Sequence, residues 1–146
     1  MSQIKINTAE INLAFSRLID ASEQLEPAMR DIAGVLESAK DRAFSDEADP
    51  KTGELWAGLL PETIKKRSKT GNWPGPILQV SGALERSITT DYGNDFAVIG
   101  TNERYAGAHQ HGADKINLEA RPFLGIGPED EAEILGILAD HLSDAL

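Results

Sequence analysis

The sequence predicts an α+β domain in which N-terminal helices and a C-terminal helix pack on one antiparallel β-sheet. Three observations carry that prediction. Apolar residues recur at spacings of three and four through the first 44 residues and again beyond Pro128, and β-branched residues gather around Gly93-Asn94-Asp95. The chain has 146 residues, 40% of them hydrophobic and 26% charged, which fits one domain spanning 1–146 with a single modest core.

Each element has its own local reason. Ile11, Phe15, Leu18, Ile19, Ser22 and Leu25 form an amphipathic stripe that predicts a helix over about 8–24, with Thr8 as its N-cap. Glu26-Pro27 restarts the pattern, since proline is tolerated in a first helical turn and not in an interior. Met29, Ile32, Ala33, Leu36, Ala39 and Ala43 then make a second stripe running to about Phe44. These helices either pack as a pair or form one long helix kinked at Pro27, within a helical stretch over 1–50. Residues 45–53 are rich in turn formers and read as a loop. Residues 54–69 hold Trp56, Leu59, Leu60 and Ile64 and predict a short helix starting near Pro61. The run Thr70-Gly71-Asn72-Trp73-Pro74-Gly75-Pro76 is too rich in Gly and Pro for regular structure.

The stretch 77–126 has β character. Leu84–Tyr92 and Phe96–Gly100 flank a turn and predict a hairpin, Tyr105–Gly112 fits one helical turn, and Arg121–Gly125 fits a further strand. Gly127-Pro128 opens a last helix over 128–146, with Ile134, Leu135, Leu138, Leu142 and Ala145 on one face.

Charge narrows the function classes. The net charge is −10, which argues against nonspecific binding to DNA or RNA, where affinity comes largely from Lys and Arg releasing counterions. No apolar run approaches the roughly 20 residues of a membrane helix, and the N-terminal residues lack the pattern of a secretion signal, so the expected compartment is the cytoplasm. Residues 1–73 carry 10 basic and 12 acidic side chains, and residues 74–146 carry 4 and 12, so the acidity belongs to the C-terminal half. It is densest in 128–146, where Glu129, Asp130, Glu131, Glu133, Asp140 and Asp144 have no basic neighbour. This reads as a solvated helix face, its first three acids stabilised by the helix dipole, or as a face for a basic partner.

Catalytic chemistry finds few residues. With no cysteine there is no disulfide scaffold, thiolate metal site or thiol nucleophile. There is no nucleophile elbow and no Gly-Lys-Ser/Thr phosphate loop, and Gly125-Ile126-Gly127 lacks the third glycine of a dinucleotide motif. His109-Gln110-His111 is the cluster closest to a metal site: on a strand both imidazoles would share a face, with Asp114 or His141 as a third ligand. Two histidines alone fall short of the three or four ligands zinc requires, so no metal ligand is assigned. Lys65-Lys66-Arg67-Ser68-Lys69, between Trp56 and Trp73, is the basic patch. It reads as a solvated helix end, as a contact for an acidic protein face, or as a grip on single-stranded nucleic acid.

From Trp56 onward a longer pattern emerges. Trp56, Leu59, Thr63 and Lys66 are followed by Leu78, Ser81-Gly82-x-Leu84, Ser87-Ile88 and Ile99-Gly100-Thr101. Tyr105-Ala106-x-x-His109-Gln110-x-Gly112 comes next, and then Arg121-Pro122-Phe123-Leu124-Gly125. Across about half the chain this resembles the phage virion morphogenesis family, the tail-completion proteins of Mu-like phages. His111 stands where that pattern suggests an aromatic residue such as Phe. The resemblance implies a non-enzymatic virion protein of a phage or prophage, without a cofactor, made in the bacterial cytoplasm and acting in tail completion or head–tail joining. The partners it implies are other tail or connector proteins, with subunits that close into a ring in the virion. The residues with contact potential are Lys65, Lys66, Arg67 and Lys69, the acidic C-terminal helix, and Arg121, whose guanidinium suits a carboxylate or backbone carbonyls at a sheet edge. The alternatives from other classes are a metal-dependent hydrolase built on His109, His111 and a carboxylate, and a nucleic-acid-binding accessory factor.

Overall fold

The fold is organised by one long helix, α2, spanning Glu26–Asp46 in a computed structural model that describes residues 8–78 and 82–146. Ser81 of the Ser-Gly-x-Leu motif lies outside the described residues. Helix α1, Thr8–Glu23, ends before Gln24-Leu25, and Pro27 sits in the first turn of α2, where its missing N–H leaves no gap in the helix. The two helices are therefore separate, and α1 leans on the C-terminal helix rather than pairing with α2. None of the residues of α1 is buried, and Phe15 and Ile19 on its predicted apolar stripe stay exposed.

The small residues of α2 permit close approach on two sides. Ala28, Ile32, Ala33, Val35, Ala39 and Ala43 are buried, with the β-hairpin on one flank and α6, Pro128–Ser143, on the other. The hairpin pairs β1, Thr89–Tyr92, with β2, Ala97–Gly100, antiparallel in the register Thr89 to Gly100. Its turn also secures the α1–α2 junction: Asn94 accepts a hydrogen bond from the Leu25 N–H at 2.8 Å and donates one to the carbonyl of Glu23. The architecture is α+β, but the sheet is these two strands alone among the described residues. Likewise, no helix there is long and apolar enough to cross a membrane.

Two predicted strands differ from the structure. Leu84 belongs to a short helix, α4 (Ala83–Ser87), and the chain extends only from Thr89. Leu84 and Ile88 are both buried, and a separation of four satisfies the strand period and the helix period alike, so apolar spacing could not distinguish them. Ser87 closes the helix by bonding back to the carbonyl of Leu84 at 2.6 Å. The segment Arg121–Gly125 joins no ladder. Pro122 has no N–H to give one, the Arg121 N–H goes to the carbonyl of His109 at 2.7 Å, and the backbone groups that follow are taken by side chains instead. Among the described residues between 77 and 126, then, the regular structure is one short hairpin with α4, α5, Ala106–His111, and a 3-10 turn at Asp114–Ile116.

Between α2 and the hairpin, Pro61–Lys69 forms α3, with Thr63, Ile64 and Arg67 half-buried. The core lies where these segments meet. Phe123 is fully buried, with Phe44 5.6 Å away and Trp56 packed edge-on to Phe44 at 5.8 Å, all in one cluster with Leu84, Ile88 and Ala106.

Candidate functional site

The residues that stood out in the sequence converge on the segment 121–124. Trp56 donates its indole N–H to the carbonyl of Pro122 at 2.7 Å. Gln110 accepts the N–H groups of Phe123 and Leu124, each at 3.0 Å, and donates to the carbonyl of Leu124 at 2.9 Å. Arg121 is buried; its Nε and Nη2 donate to the carbonyls of Ala57 and Gly58 at 2.8 and 2.7 Å. Together they hold an irregular segment against the loop that precedes α3, and a buried irregular backbone requires partners of this kind. Gly112 belongs to the same device. It has φ +78°, and a Cβ there would meet the backbone of Leu118 and Ala120 at 3.0 Å.

Arg67 does the same for the loop that follows α3. Its two terminal nitrogens donate to the carbonyls of Pro76 and Ile77 at 2.8 and 2.6 Å, while Glu47 accepts the Ile77 N–H at 2.7 Å. Burial lowers the pKa of Arg67, partly offset by Glu47. Burial also lowers that of Arg121, with Glu119 opposing and Arg67 adding to the effect. Both remain charged at neutral pH. Arg121 is buried and Arg67 half-buried, each bonded to the chain's own carbonyls, so the fully exposed cations of the basic patch are Lys65, Lys66 and Lys69.

His109 and His111 lie on α5 and not on a strand. Two residues apart on a helix, they point about 200° away from each other around the axis. Among the described residues no group of three His, Cys, Asp or Glu could hold a metal ion. The geometry therefore separates the two histidines that a metal-dependent hydrolase would have to join. His109 packs edge-on to Tyr105 at 5.7 Å, and its Nδ1 is buried without a hydrogen-bond partner. It lines a small cavity of about 130 Å³ together with Leu60, Arg67 and Arg121.

The motifs are thus set in one internal network, and the comparisons with known proteins bear on the same stretch and far beyond it. The model of the phage virion morphogenesis family matches residues 6–143. This chain belongs to that family. It is 34% identical to the putative capsid assembly protein G of Escherichia phage Mu, over 98% of this chain and 95% of that protein. It is 37% identical to the Mu-like prophage FluMu G protein 2 of Haemophilus influenzae, over 97% of this chain and 96% of the relative, and 37% identical to FluMu G protein 1 of the same organism, over 97% and 95%. No solved structure matches.

Two outer surfaces also stand out, one of which, the exposed face of α3, was already marked in the sequence by its lysines. One is a groove of about 660 Å³ between the end of α2, the 48–55 turn and the start of α6. At its side, Arg42 donates twice to Asp130, at 2.9 and 2.8 Å, and Asp130 also accepts the Gly127 N–H at 2.9 Å. Asp130 is therefore not within the solvated acidic face; it is a buried anchor for the N-terminus of α6. The available signal was its position three residues into a helix opened by Gly-Pro, where a carboxylate reaches back to the cap N–H. Gly127 is equally constrained, since a Cβ would meet the carbonyl of Pro50 at 3.0 Å. The other surface is the exposed face of α3, with Leu60 just ahead of it.

Proposed function

We propose that this chain is a structural protein of tail completion or head–tail joining, which works through protein–protein contacts at the head-proximal end of the tail. The single observation that carries the reading is the family match across residues 6–143, reinforced by relatives of nearly equal length, one of them a putative capsid assembly protein. The internal network supports it too. Arg121, Gln110 and Trp56 are spent on holding irregular backbone, which leaves charged and apolar side chains on the outer faces for contacts with other proteins. Partners on this reading are other tail or connector proteins, with copies of the chain arranged in a ring, and the protein is made in the host cytoplasm before it joins the virion.

Electron microscopy of a phage or induced prophage lacking the gene tests this directly. Full heads separate from tails are expected, with infectivity restored by supplying the chain in trans. Normal infectious virions from the deletion would overturn the assignment.

A further inference from the structure

We propose that the groove between α2, the 48–55 turn and α6 seats helix α3 of a second copy of this chain, in a head-to-tail contact. The inference rests on the reading of the chain as an assembly protein and names one of its partners. The groove has a volume of about 660 Å³. Once the Arg42–Asp130 pair is set aside, Asp46, Asp49 and Glu129 face only Lys51 along its walls, so it is acidic. Leu55, 73% exposed, supplies an apolar residue to the same groove.

The complementary surface is on this same chain. Lys65, Lys66 and Lys69 line the exposed side of α3, and Leu60, 51% exposed, stands at its start. Among the described residues, none of these three lysines forms an ion pair, and neither do Asp46 or Glu129. Arg67 ties α3 to Pro76 and Ile77, so the helix is held in place with its lysines outward. Each copy therefore carries one unpaired basic face and one unpaired acidic groove. Two different patches that complement each other make a heterologous contact, which propagates from copy to copy and closes into a ring where the rotation allows. The lysine stems and Leu60 would cover Leu55 while the ammonium groups meet the carboxylates.

The absence of cysteine in the sequence permits a clean test. The full-length variant carrying both Lys66→Cys and Asp46→Cys should give a ladder of covalent multimers on mild oxidation, which the pair Lys66→Cys with Asp140→Cys should not. Sedimentation velocity should show wild-type association weakening about tenfold between roughly 0.05 and 0.3 M salt. Reversal of the three lysines to Glu, or of Asp46 and Glu129 to Lys, should abolish association while leaving the melting temperature near wild type, and mixing the two variants should restore it. No ladder, an equal ladder from the control pair, or association unaffected by both reversals would overturn the contact. A phage carrying the lysine reversal at wild-type titre would also remove the contact while leaving the assembly role intact. A deletion without effect on virions would remove the assembly role itself.

Discussion

Gln110 and Leu124 pair as two strand residues would, although neither lies in a strand. The Gln110 side chain accepts the Leu124 N–H at 3.0 Å and donates to the Leu124 carbonyl at 2.9 Å, and its oxygen also takes the Phe123 N–H. One carboxamide thus replaces the missing neighbour strand for 121–124 and holds Phe123 in the core. Gln110→Ala should leave three backbone groups without these partners, and at about 1–3 kcal/mol for a buried group left unsatisfied, reduced by partial exposure, the loss should be about 2 kcal/mol. Urea denaturation would show this as a lower midpoint at unchanged slope. His111, exposed on the same helix, should tolerate Phe within about 0.5 kcal/mol.

The arginine and lysine substitutions should separate into two classes. Arg121→Ala removes two charge-assisted hydrogen bonds from a buried site, each worth about 1.5–3 kcal/mol, and should cost at least about 3 kcal/mol. Arg121→Lys should recover only some of this, because a single ammonium cannot reproduce the planar fork that spans Ala57 and Gly58. Lys65→Ala, Lys66→Ala and Lys69→Ala should each lie within about 0.5 kcal/mol of wild type. Thermal melts of the five variants check this ordering, and a destabilised Lys66→Ala would mean that α3 depends on its outer face.

The contrast between these residues marks how far the sequence could be read. Helices α1, α2, α3 and α6 were legible because proline position and apolar spacing are local signals, and the hairpin was legible from its turn. Periodicity shows that a face is apolar and does not show what covers it, so α1 was correctly placed while its exposed stripe was not foreseen. The strand expected at 121–125 was wrong for a related reason. Beyond the Arg121 N–H, its partners are side chains at Trp56 and Gln110, 66 residues away and 13–14 residues away, and no local pattern encodes such pairings. The residue types at the site were visible as a resemblance; that Arg67 and Arg121 bond the protein's own carbonyls became visible only with the fold.

The Arg42–Asp130 pair should behave differently from the Arg30–Asp31 pair. Asp130 is 4% exposed at its side chain and Arg42 53%, whereas Arg30 and Asp31, 3.6 Å apart, are both more than half exposed. Removing one partner of a buried pair costs about 3–5 kcal/mol because the other charge is stranded, and exposed pairs contribute about 0–1. Asp130→Ala also removes the acceptor for the Gly127 N–H at the start of α6. It should therefore cost about 3 kcal/mol and Arg42→Ala about 2, while Arg30→Ala should be nearly silent. A double-mutant cycle on Arg42 and Asp130 should give a coupling above about 1 kcal/mol.

His109 gives the fold a dependence on pH with a definite sign. Burial lowers its pKa below the ordinary value of 6.5, and the neighbouring Arg121 charge lowers it further. The unfolded chain then binds the proton more readily than the folded one. Stability contributed by the neutral imidazole is fully present above the unfolded pKa of 6.5 and is lost as pH falls through the lower folded value. Acidification also protonates carboxylates and relieves the repulsion of a chain with net charge −10, so wild type alone would mix the two effects. The comparison with His109→Gln isolates the first. Melting temperatures of the two proteins should diverge as pH falls from about 7.5 to about 5, with wild type losing more, and parallel curves would show that the imidazole takes up its proton as readily in the folded state as in the unfolded one.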